Sequence, residues 1–222
     1  MTELYRPAPQ PTHRLIPSRF PPIGLFDTVA TAADLAAVME LAGWTNDRLV
    51  AERIARLPQA EWVYGRANAS VVMAAFLHVG PVGGRFNGPE LGAWYASEAL
   101  VTAAVEVAHH MRREAVARGI AGVQRQFRQY SARTIGAYLD IRGAQEEVAE
   151  VYAADRYAAS QRFGEEIRAS GRAGILYDSV RHAGGVNVVV HRPRNVVDVV
   201  QTDHFEVRVV AASRRIEVRR LV

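Results

Sequence analysis

The sequence predicts an α+β fold, with helices in the first part of the chain and strands in the last. Two observations carry this. Segments with helical periodicity and end signals recur from Thr31 to Arg113. From Gly174 onward, five segments rich in β-branched residues are separated by glycines or polar turns. Helices dominate the first part and strands the last, which points to an α+β fold rather than an alternating parallel-sheet one. The 222 residues and 49% hydrophobic content suffice for one buried core, so a single domain over 1–222 is expected. Residues 1–65 read as an N-terminal arm and helical extension, and 66–222 as the core.

Taken in order, PAPQPTHRLIPSRFPPIGLF is punctuated by prolines, which forbid a helix and leave an extended arm with a short strand at His13–Ile16. TAADLAAVMELAG is helical: Thr31 caps it with Asp34 three residues on, Leu35, Val38, Met39 and Ala42 form the apolar face, and Gly43 ends it. TNDRLVAERIARL gives a second helix from about Thr45, stopped by Pro58, and NASVVMAAFLHVG a short buried one over Ala69–Leu77. The glycine-rich loop GPVGGRFNGPELG leads to a strand at Ala93–Ala96. Ser97 then caps a helix from Glu98 to about Arg113. FRQYSARTIGAYLDIR is strand-like, the alanine-rich 140s and 150s read as helix, and RYAASQRFGEEIRASG is a helix closed by Gly171. GILYDSV, VNVVVHR, VVDVV, FEVRVV and RIEVRR are the final strands; in FEVRVV, Phe205, Val207 and Val209 alternate with Glu206 and Arg208.

Composition excludes several chemistries. With no cysteine there is no disulfide framework, thiolate nucleophile or cysteine-bound zinc. All 27 basic residues are arginine, so no side-chain Schiff base can form. A GC-rich coding bias explains that usage, and so does two-point phosphate recognition. The net charge of +4 is dispersed, without a basic stripe, which disfavours direct nucleic-acid binding. No signal peptide or membrane-length apolar run is apparent, and a cytoplasmic protein is expected. His109 and His110 are adjacent, about 100° apart on a helix, and cannot chelate one ion. No metal site is expected. Walker, Gly-x-Gly-x-x-Gly and Gly-x-Ser-x-Gly patterns are all absent.

Three positions remain as candidates. On its helix, Glu106 shares a polar edge with Thr102, His109, His110 and Arg113, beside an apolar stripe of Leu100, Ala103, Ala104, Val107 and Met111. That edge is either solvated or the lip of a site. Arg85 sits among Gly83, Gly84, Gly88 and Gly92, which fits a close approach to a ligand or a plain surface turn. Ser179 ends an apolar strand, either simply terminating it or hydrogen-bonding a ribose or amide.

These residues are carried by a resemblance. Arg85 in GGRFN, Tyr95 in AWYAS, Glu106 in TAAVEVAHH and Ser179 in GILYDSVRHAGGVN resemble the RES domain family in order and spacing, over most of the chain from THRLIPSRF to VVVHRP. The resemblance implies an ADP-ribosyltransferase-like core of twisted antiparallel or mixed sheets flanked by helices. It implies the toxin of a bacterial toxin–antitoxin module that consumes NAD+ without a metal. Some members of the family transfer ADP-ribose to water or phosphate, and one branch modifies phosphoribosylpyrophosphate synthetase. The longer N-terminal region here leans toward a protein acceptor, with NAD+ glycohydrolase or phosphorylase activity and a non-catalytic nucleotide-binding module as alternatives. The partner implied is an Xre-like antitoxin that occludes the NAD+ pocket and alone contacts DNA. Arg85, Tyr95, Glu106 and Ser179 are then the catalytic positions. Arg14 in HRLIPSRF occupies the family's early arginine position for phosphate binding. Arg48 in TNDR is a second phosphate candidate, or a surface ion pair to Glu52.

Overall fold

The computed structural model describes residues 4–20, 24, 26–31, 33, 34, 37 and 48–221. The body of the helix expected over 31–43 lies outside these residues. Its N-terminal cap is described: Thr31 Oγ1 accepts the Asp34 N–H at 3.1 Å while Asp34 Oδ2 accepts the Thr31 N–H at 3.1 Å, a reciprocal capping box.

Among the described residues the elements are β1 (Tyr5–Arg6), β2 (Thr12–Pro17), α1 (Arg48–Ala55), α2 (Ala69–Leu77), β3 (Trp94–Ser97), α3 (Leu100–Ala117), β4 (Gly122–Thr134), β5 (Tyr138–Asp140), α4 (Ala158–Ala169), β6 (Gly174–Asp178), β7 (Val186–Val190), β8 (Val196–Val210) and β9 (Ile216–Leu221). The strands link into one mixed sheet in the order β1-β5-β6-β7-β3-β2-β4-β8-β9. Every neighbouring pair is antiparallel except β5–β6. The α+β class expected from the sequence is the one observed.

Period-2 alternation assigns the central strands to two faces. Trp94 and Ala96 of β3, Leu176 of β6, and Val188 and Val190 of β7 join a core cluster with Val72, Met73 and Phe76 of α2. On the opposite face Ile175, Tyr177 and Val189 pack with Phe86 and with Ile167 of α4. Further along that side, α3 presents Ala103, Ala104, Ala108 and Met111 to Leu15, Phe127, Phe205, Val207 and Val209. Three alanines in this stripe let the helix backbone lie close to the sheet. The centre of the sheet is thus covered on both sides, which explains why its strands read as nearly continuous valine and isoleucine runs.

Four local expectations are corrected. Ser97 stays in β3, paired to His13 on one side and Asn187 on the other, and α3 begins at Leu100 behind Ala99 with no side-chain cap. The helix runs on to Ala117. Residues 142–155 form turns and bends, not a helix: the carbonyls of Val151 and Ala153 accept from Arg85, and that of Ala154 from Arg181, instead of bonding along a helix. The strand-like stretch from Phe127 to Arg142 divides into β4 and β5, with Gly136 at φ 106° in the break. VVDVV and FEVRVV are one long strand, β8, which follows β4 through two register irregularities.

Candidate active site

A cleft of about 300 Å³ opens on the α3–α4 side of the sheet. Its floor follows from register. His13 pairs with Ser97, Ser97 with Asn187, and Asn187 with Tyr177, so one row crosses β2, β3, β7 and β6, and all four residues line the cleft. Tyr95, two residues before Ser97, shares that face of β3. The ladder between β2 and β3 consists of the His13–Ser97 pair alone. Beyond it the carbonyl of Tyr95 accepts a hydrogen bond from Arg14 Nη1 at 2.9 Å.

Glu106 projects from α3 onto this row. Its Oε1 accepts from Ser179 Oγ at 2.7 Å and from Asn187 Nδ2 at 2.7 Å. Among the described residues no donor reaches Oε2, and Glu106 lines the cleft. One oxygen is therefore anchored and the other is available. Of the polar edge read from the sequence, Glu106 and His110 line the cleft, together with Ala103 and Val107 of the apolar stripe.

Ser179 is 9% exposed and lies just beyond β6. Its hydroxyl accepts from the backbone N–H groups of Arg181 at 3.1 Å and His182 at 3.0 Å, and donates its one hydrogen to Glu106. With both lone pairs and the proton engaged, it orients the carboxylate and has nothing left for a ribose. The turn that supplies those N–H groups is itself pinned to α3 by His182 Nδ1 and Thr102 Oγ1, 2.9 Å apart.

Arg85 reaches the cleft from the loop before β3. Its Nη1 donates to Ala153 O at 2.9 Å and Val151 O at 3.2 Å, and the guanidinium stacks 4.7 Å above Tyr157. Nη2 and Nε have no partner among the described residues, so the guanidinium keeps an open edge. The loop is clamped from two directions. Tyr95 Oη donates to Asn87 Oδ1 at 2.7 Å and accepts the Phe86 N–H at 2.8 Å. From α4, Gln161 Nε2 donates to Val82 O at 2.8 Å and Gly84 O at 2.9 Å, Glu165 accepts the Gly88 N–H at 2.9 Å, and Arg168 donates to Gly92 O at 2.9 Å. Glycine is required at Gly84, where a Cβ would lie 2.7 Å from Tyr95 Oη.

Burial raises the Tyr95 phenol well above its ordinary range, so its hydroxyl stays a neutral hinge pin while its ring faces the cleft. Burial also pushes the Arg14 guanidinium down to about 10. It sits 4.8 Å over Trp94, with Nε lacking a hydrogen-bond partner and no carboxylate paired to it among the described residues. A half-buried cation without a paired anion is a ready place for an oxyanion. Arg48 opens α1, and its side chain lies outside the described residues.

The structure thus brings Arg14, Arg85, Tyr95, Glu106 and Ser179 to one place. Sequence reasoning missed Asn187, Ser97 and Tyr157. An asparagine within the apolar run VNVVV was the available signal for the first, since a polar side chain on a buried strand needs a partner. Among the described residues no group of three or more His, Asp or Glu is arranged to hold a metal ion, and no helix is long and apolar enough to cross a membrane.

The family model described as RES domain matches residues 50–209. No curated protein matches the chain. Among solved structures, it is similar to a chain of the M. tuberculosis MbcT-MbcA toxin-antitoxin complex, with 21% identity and a TM-score of 0.41 over 55% of this chain and 73% of that one.

Proposed function

The chain belongs to the RES domain family, and from that premise we propose that it is the toxin of a toxin–antitoxin pair, cleaving the nicotinamide–ribose bond of NAD+ and transferring ADP-ribose to a protein acceptor. The observation that carries the reading is Glu106: Oε1 is held by Ser179 and Asn187 and Oε2 is left open, in a cleft that also holds Arg14 and the free edge of Arg85.

The residues fit this substrate. Arg14 and Arg85 supply the cations for a diphosphate, and the Tyr95 ring gives a flat contact for nicotinamide. As the glycosidic bond breaks, its electron pair leaves with the nicotinamide nitrogen and positive charge grows on the sugar. Glu106 Oε2 stabilises that charge and orients the incoming acceptor. Nicotinamide departs neutral, so no general acid is needed and one carboxylate suffices where glycosidases use two. Ser179 acts on the reaction through Glu106.

The acceptor separates two readings, protein modification and release of ADP-ribose to water or phosphate. Incubating the protein with NAD+ labelled in the ADP-ribose moiety and bacterial lysate distinguishes them. Label on a protein band, with phosphoribosylpyrophosphate synthetase the first candidate, supports transfer; label in small molecules alone replaces transfer with NAD+ glycohydrolase or phosphorylase activity. An Xre-like antitoxin is the proposed partner, covering the cleft in the cytoplasm and carrying any DNA contact. Hydrogen-exchange protection of residues 83–87 in the complex is expected, and an unprotected cleft would contradict occlusion.

A further inference from the structure

The side-chain amide of Asn187 has both ends engaged, one by Glu106 and one by Ser97. Asn187 stands on β7 between Ser97 of β3 and the carboxylate of Glu106, and it is 3% exposed. Ser97 Oγ is 2.6 Å from Asn187 Oδ1, and a hydroxyl facing an amide oxygen must donate. A carboxylate can only accept, so the nitrogen end of the amide belongs to Glu106, where Nδ2 donates to Oε1 at 2.7 Å, and the oxygen end to Ser97. A flipped amide would set its oxygen against the carboxylate and its NH2 against a hydroxyl that then has to accept. The carboxylate, which can only accept, makes one of two near-isosteric orientations the favourable one, and the serine hydroxyl then holds the oxygen end in place.

The second donor to Oε1, Ser179, comes from the other arm of the same β6–β7 hairpin, just after β6. Two charge-assisted bonds on one oxygen hold the carboxylate plane and leave Oε2 as the reactive atom. From this geometry we infer that Ser97 and Asn187 form a positioning relay: Ser97 anchors the oxygen end of the amide, and Asn187 aims Glu106 at the reacting bond. This rests on the NAD+-cleaving reading of the cleft. Neither residue is asked to touch the substrate's reacting atoms, so loss of the relay lowers turnover more than affinity.

The test measures nicotinamide release from NAD+ by the full chain. Asn187→Ala lowers kcat about 10- to 100-fold, the range for a charged hydrogen bond, with KM changed less than about threefold. Asn187→Asp keeps the shape, loses the donor and adds a like charge, so it falls at least as far. Ser97→Ala lowers kcat about 5- to 20-fold, and Ser97→Thr, which keeps the hydroxyl, restores it. In an Asn187→Ala background, Ser97→Ala has no further effect, because the serine acts only through the amide. A Ser97→Ala loss that adds fully to the Asn187→Ala loss, or a kcat unchanged in both single variants, overturns the relay. A second readout needs no turnover: the side-chain amide resonance of Asn187 in the 15N-labelled protein. It shifts in Ser97→Ala and Glu106→Ala and stays put in Ser97→Thr. If the wild type releases no nicotinamide, the proposed reaction fails while that resonance still decides the relay, standing if it shifts and falling if it does not.

Discussion

At the scale of single residues, the side chains divide into those that offer the cleft a free atom and those whose atoms are consumed in holding others. Glu106 Oε2 and the outer edge of Arg85 are of the first kind; Ser179 and the Tyr95 hydroxyl are of the second, and Arg14 lines the cleft with its Nε buried and unpartnered. Arg14 gives a prediction here. Its burial without a paired carboxylate is relieved when an oxyanion binds, so ADP-ribose raises the melting temperature of the wild type. With ligand at about ten times the wild-type Kd, Arg14→Ala abolishes about two-thirds or more of that increase, corresponding to a Kd weakened by about 10-fold or more. An unchanged increase in the variant, read by differential scanning fluorimetry, would remove Arg14 from the phosphate site. At this scale the sequence revealed the charged residues through the family resemblance. It could not reveal Asn187, whose significance lies in a cross-strand pair with a residue 90 positions away.

At the scale of elements, α4 works as a splint for the loop that carries Arg85. Gln161, Gly164, Glu165 and Arg168 recur at three- and four-residue spacing, so one helix face meets the whole loop. Gly164 lets the two backbones touch: a Cβ there would overlap the carbonyl of Phe86. Gly164→Ala therefore pushes the loop and Arg85 outward. It is expected to destabilise the fold by about 1–3 kcal/mol in urea and to raise KM for NAD+ in nicotinamide release, whereas a change confined to stability would separate the splint from the site. Periodicity and end signals made α2, α4 and the last strands legible to within a few residues. The 140s and 150s were misread because their carbonyls are satisfied by Arg85 and Arg181, distant in sequence. Ser97 was misread for a similar reason: a serine before a helical run is a sound capping signal until tertiary pairing claims its hydroxyl.

For the molecule as a whole, one mixed sheet holds its centre dry on both faces and opens where β2 and β3 share a single pair. Burial lowers four histidines of this fold, His13, His109, His110 and His191, and two of them dominate its acid response. Burial, assisted by Arg181, lowers His109 to about 4, and burial beside Arg168 lowers His191 well below its ordinary value. The unfolded chain takes up these protons near pH 6.5 while the folded chain resists, so stability is full above about pH 6.5 and declines as pH falls toward 4. Melting temperature is expected to drop over that window, and His109→Gln to flatten the slope. Glu114, held down to about 2 by Arg125 and Arg118, adds its own loss only below the ordinary carboxylate range. A melting temperature flat from pH 7 to 4.5 would refute the histidine contribution. The α+β class was legible from the order of helical and strand-like segments, but the mixed order of the sheet was not, since it depends on pairings between distant segments.

The central claim is that Glu106 performs the chemistry of an NAD+-cleaving site, and one comparison addresses it directly. Purified wild type and Glu106→Gln are incubated with NAD+ and bacterial lysate and assayed for free nicotinamide, with circular dichroism melts alongside. The account predicts release by the wild type and a fall of at least about 100-fold in the variant, with the melting temperature within a few degrees. Release undiminished in Glu106→Gln, or none from a folded wild type, would contradict it.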